Sequence, residues 1–123
     1  MQSYKEIIQE ILIKEPTLNG SGVNGKVSYE KDPIPEHEFF LCLEFLDNKT
    51  LPIRYINKRL GSSYQIKHLV EKYVEEIYGH KYISNGALIA ALLYRGIKIR
   101  KYKNEDYLNV HAAIKLKKEK KII

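Results

Sequence analysis

The 123-residue sequence predicts an α+β fold, mainly α-helical and closed by a C-terminal β-hairpin. Three patterns carry that expectation. Ile66, Leu69, Val70, Tyr73, Val74 and Ile77 recur at the spacing of a single helix face. Residues 87–94 form an unbroken apolar run, and residues 97–114 alternate apolar with polar side chains around a polar cluster.

The elements follow in order. Ile7, Ile8, Ile11 and Leu12 share one face of a helix over residues 3–14, which Pro16 ends. Residues 19–35 are rich in Gly, Asn, Ser and Pro and read as a long flexible loop, with Val27 to Glu30 as a short edge strand at most. Pro35 opens a second helix running to about Leu46, with Phe39, Phe40, Leu43 and Leu46 directed to the core. Ile53, Ile56 and Leu60 predict a short helix over 52–60 that Gly61 stops. Ser62 and Gln65 have capping-box spacing at the start of the next helix, and Gly79 lies at its end. Ser84 is an N-cap for a helix through Tyr94 that is apolar nearly all round and therefore packed on more than one side. After Gly96, Ile97 and Ile99 face one way and Lys98 and Arg100 the other. Asn104, Glu105 and Asp106 form the turn, and Tyr107 to Ile114 returns with Leu108, Val110, Ala112 and Ile114 on the greasy face.

This order divides the chain into three parts: residues 1–35, an amphipathic helix with its loop; residues 36–114, the folded domain; and residues 115–123, a frayed basic tail. Charge is divided just as unevenly. Residues 1–50 hold five lysines against nine acids, residues 51–80 five basic residues against three acids, and residues 81–123 eleven against three. A basic end within a net charge of +6 draws polyanions to one surface. The candidate nucleic-acid contacts are Arg95, Lys98, Arg100, Lys101 and Lys103, interleaved with Tyr102 and Tyr107 and flanked by His111. Lys115, Lys117 and Lys118 extend them. Lysine and arginine neutralise phosphates, while exposed aromatic rings stack on unpaired bases.

Other chemistries find less support. Gly20 to Lys26 fits the spacing of a phosphate-binding loop, but position 27 is valine and Pro33 and Pro35 forbid the long helix that such a loop must feed. The four histidines are scattered without metal-ligand spacing, so no metal and no cofactor are expected. Glu36 with Glu38, and Glu75 with Glu76, read as solvated helix surface, and a nuclease built on His111 and Tyr107 has no motif behind it. The single cysteine, Cys42, lies in an apolar run, which suits a core position and a reducing compartment. With no cleavable leader pattern and no apolar stretch near the roughly 20 residues that span a bilayer, a cytoplasmic protein without membrane contact is expected.

From residue 36 to 114 the order of helices followed by a hairpin resembles a winged-helix arrangement. The run YISNGALIAALLYRGIKIRKYKNEDYLNVHAAI, residues 82–114, is similar to segments of small proteins from bacterial phages, plasmids and chromosomal cassettes. The resemblance implies a DNA-binding or accessory role in mobile-element replication, on single-stranded DNA or beside a polymerase or helicase. One feature departs from it: the helix before the wing offers only Asn85 and Arg95 to base edges, so the hairpin and tail would carry a sequence-independent contact. The alternative is an accessory subunit or inhibitor that docks on its enzyme through Ile7, Ile8, Ile11 and Leu12.

Overall fold

The computed structural model describes residues 2–103 and 107–118. Its four helices are α1 (Tyr4–Lys14), α2 (Glu36–Lys49), α3 (Ser63–Tyr78) and α4 (Asn85–Tyr94). Four three-residue strands form two antiparallel pairs: β2 (Ile99–Lys101) with β3 (Val110–Ala112), and β1 (Thr50–Pro52) with β4 (Ile114–Leu116). The architecture is α+β, as the sequence predicts.

Helix α4 is the hub. Ser84 caps it through its hydroxyl, which accepts the Ala87 N–H at 3.2 Å, and every side chain from Asn85 to Leu92 is buried. Helices α1, α2 and α3 all pack on it. A helix without a polar face is stable only when surrounded in this way. At its first turn Gly86 donates to the Gly20 carbonyl at 3.0 Å, and a Cβ at this position would collide with the Asn19 carbonyl oxygen, so the close approach of loop and helix requires glycine.

The amphipathic face of α1 is part of this core. Ile7, Ile8 and Ile11 are buried, Leu12 packs beside them, and the Tyr4 hydroxyl donates to Ile34 O at 2.7 Å. Burial raises the Tyr4 phenol pKa, with the neighbouring Tyr29 adding to the effect. The face expected to dock an enzyme partner is therefore covered by its own domain, because each buried isoleucine gains about 1.5–3 kcal/mol from leaving water. Nor is residues 19–35 a slack linker. Asn19 and Gly22 exchange backbone hydrogen bonds, Gly20 donates to Asp32 O, Gly25 to Thr17 O and Val23 to Leu108 O. Val23 is fully buried. Val27 to Glu30 is bend and turn rather than strand, and no helix starts between Lys26 and Glu36. A boundary at residue 35 thus falls inside packed structure.

Three further expectations are corrected. Residues 52–60 are not a helix: β1 occupies the start, and only Lys58–Leu60 form a 3-10 turn. Backbone hydrogen bonds to the C-terminal strands replace helical ones, with Ile53 N–H donating to Ala113 O at 2.9 Å and Asn57 N–H to Ala112 O at 3.0 Å. The tail is structured at its start, since Lys115 and Leu116 lie in β4 and Lys117 N–H donates to Lys49 O at 2.8 Å. Phe40 and Ile77 are about half exposed, each at the edge of its helix's apolar stripe. The expected turn at Asn104, Glu105 and Asp106, and the tail beyond Lys118, lie outside the described residues. Among the described residues no helix is long and apolar enough to cross a membrane.

Candidate nucleic-acid interface

The hairpin β2–β3 has an inner and an outer face. Val110 and Ala112 are buried on the inner one with Ile99 partly covered beside them, and period-2 alternation sends Lys98, Arg100, Tyr102 and His111 to the outer one. Arg100 stands directly opposite His111 in the ladder. Tyr102 packs against both His111 and Tyr107, with ring centroids 4.9 Å apart in each case. His111 Nδ1 lies 3.3 Å from Gly61 O, and because a carbonyl only accepts, this nitrogen carries the proton in that contact. The aromatic group is thereby fixed to the segment before α3.

That segment supplies what the sequence reading missed. Besides its backbone bond to Ala112 O, Asn57 donates its side-chain amide to Ile114 O at 3.0 Å, so residues 53–61 run alongside β3 and β4. They bring Arg54, Tyr55, Lys58 and Arg59, all exposed, next to the outer face. A signal was present in the sequence: no acid occurs between Asp47 and Glu71, or between Glu76 and Glu105. The described C-terminal residues 107–118 contain none either. The adjoining surfaces are thus built from three carboxylate-poor stretches, and Lys98, Lys103, Lys115 and Lys118 are exposed on them.

Three of the expected contacts are engaged within the protein. Arg95 forms a bidentate pair with Asp47, at 2.8 and 2.7 Å, and these hydrogen bonds raise its already high pKa. Lys101, on the Ile99 side of β2, reaches Glu15 at 2.8 Å. Lys117 Nζ donates to Asp47 O at 3.2 Å. The two groups that α4 offers for reading base edges are equally committed, since Asn85 is buried and donates to Ser21 O, Leu108 O and Asn109 Oδ1. What remains is an outer face bearing Arg100, Tyr102, Tyr107 and His111, bordered by Arg54, Lys58 and Arg59. It can neutralise phosphates and stack on rings. Among the described residues no cluster of three or more His, Cys, Asp or Glu is arranged to hold a metal ion.

The chain matches no family model, no curated protein sequence and no solved structure.

Proposed function

We propose that this protein binds DNA through the outer face of the hairpin and the adjoining 53–61 segment, without turnover and without reading sequence. The observation that carries this reading is the set of cations on the hairpin and the 53–61 segment that have no carboxylate partner among the described residues, beside the Tyr102, Tyr107 and His111 rings. Backbone neutralisation supplies most non-specific affinity, and the rings add contact with exposed bases. Helix α4 serves as a packing element and the hairpin as a wing, a winged-helix arrangement in which the usual recognition helix has withdrawn into the core. A replication setting on a mobile element, beside a polymerase or helicase, follows from the resemblance of residues 82–114. The accessory-subunit reading loses its docking surface to the core.

Fluorescence anisotropy with labelled single- and double-stranded oligonucleotides tests the proposal. Binding is expected in low salt, with log affinity falling against log salt at a slope of about −3 to −5 for duplex, equivalent to roughly four or five phosphates. Absence of binding to either form at low salt would overturn it.

A further inference from the structure

A cleft of about 650 Å³ opens between the N-terminal parts of α3 and α4 and the loops carrying Asp32 and Tyr107. Tyr64, Tyr82 and Tyr107 stand around it, each at least half exposed. Lys67 forms part of its wall and is only 4% exposed. The Lys67 ammonium lies 3.6 Å from Glu71 and 4.7 and 5.3 Å from the ring centroids of Tyr82 and Tyr64. It donates no hydrogen bond to a described residue. Asn85, which also lines the cleft, has a buried Oδ1 that accepts none from a described residue.

Structural roles account for part of this wall. Glu38 accepts the Ser84 N–H at 2.7 Å and Glu71 the Ile83 N–H at 3.0 Å, so the two carboxylates pin the link between α3 and α4. Neither bond engages the Lys67 ammonium, which pairs with Glu71 at 3.6 Å and keeps its donors free at the cleft wall. Nor do they explain three tyrosine rings at one opening. A phosphate would meet Lys67 but also Asp32 and Glu38, whose charges repel it. A neutral planar heterocycle suits all of these groups: its face takes the rings, its carbonyl or ring nitrogen accepts from Lys67, and its amino or imino group donates to Glu38 Oε2, which lies 4.0 Å from His37 Nε2.

We infer that the cleft receives one unpaired nucleobase from a strand lying on the outer face of the hairpin. Tyr107 joins the two places, since its ring packs on Tyr102 at 4.9 Å and also lines the cleft. The inference rests on the DNA-binding reading and deepens it: duplex should bind by its backbone alone, whereas single strands also insert a base.

The test compares wild type, Tyr82→Ala and Tyr64→Ala on three probes: a single strand carrying 2-aminopurine, the same strand with an abasic site in its place, and the matched duplex. Thermal melts first establish that both variants are folded. For wild type the single strand is expected to bind about tenfold more tightly than its abasic counterpart, with a change in 2-aminopurine emission. Each tyrosine variant should lose that advantage and keep duplex affinity. Equal binding of intact and abasic strands, or variants that weaken duplex and single strand alike, would overturn the base pocket and leave backbone binding standing. Failure of every probe to bind wild type would overturn both.

Discussion

Asp47 and Glu15, both on the helical side of the molecule, each hold a cation from the region around the hairpin, Arg95 and Lys101. On the outer face Arg54, Arg59 and Arg100 have no carboxylate within 4.0 Å among the described residues. The sequence places all five among the basic residues of a basic protein, yet the two groups do different things. Lys101 fastens the hairpin to the end of α1 and Arg95 fastens the end of α4 to α2, whereas the cations facing away have no carboxylate partner among the described residues. Net charge therefore overstates the interface, and the position of the acids decides which cations remain available.

Three experiments sharpen or break this contrast. The largest effect concerns the frame itself. Ile11→Ala should lower unfolding free energy by about 3 kcal/mol in urea titrations, because it opens a cavity where α1 meets the core. A docking arm separate from the domain would tolerate the change, so an unaltered midpoint would restore the partner-binding reading of α1. Next is the outer face. Replacing Arg54, Arg59 and Arg100 together by alanine should weaken oligonucleotide binding at 50 mM salt by about 30-fold and make the salt slope shallower by about 3, while Arg95→Ala with Lys101→Ala leaves the slope unchanged. If the second pair flattened the slope as much as the first three, the contrast between fastening and unopposed cations would be wrong.

The smallest effect tests the pin beneath the cleft. Burial alone would raise the Glu71 pKa, but the Ile83 N–H, Lys67 and His68 outweigh it and hold the carboxyl below its ordinary value. A depressed folded pKa contributes stability that is present above the unfolded value of about 4.3 and disappears as pH falls through the folded value. Glu71→Gln should accordingly cost about 1.5 kcal/mol at pH 7 and close to nothing once both pKa values are passed on acidification. A gap between the two proteins that widened below pH 4 would show the opposite linkage.

Much of the fold was readable from the sequence, for reasons tied to particular residues. The 3.6-residue periods of α1 and α3, the Ser84 cap and the alternation around Arg100 are local signals, and all reappear in the structure. The Ser62–Gln65 spacing also forms a real contact, with Ser62 N–H donating to Gln65 Oε1 at 2.7 Å. What could not be read was non-local. Thr50–Pro52 and Ile114–Leu116 are too short for a period and pair across most of the domain, so Pro52 appeared as the start of a helix and Lys115 and Leu116 as tail. Ile53, Ile56 and Leu60 imitate a helical stripe, whereas Asn57 decides the conformation by binding Ala112 and Ile114. The same limit applied to the site. The acid-free stretches were visible, but only the packing of residues 53–61 on β3 and β4 brings Arg54 and Arg59 to the hairpin. Amphipathicity in α1 showed that a face must be covered, without showing that α4 covers it.

The hydrogen bonds from Asn24 to Tyr107 O, 83 residues apart, and from Val23 to Leu108 O bear on how the chain is made. The early loop, β1 and the 53–61 segment all take their positions from residues 107–116, and α1 waits for α4. During synthesis the first half of the chain therefore emerges with its apolar surfaces formed and their covers still untranslated. Native closure needs residues near 116, which makes folding long-range.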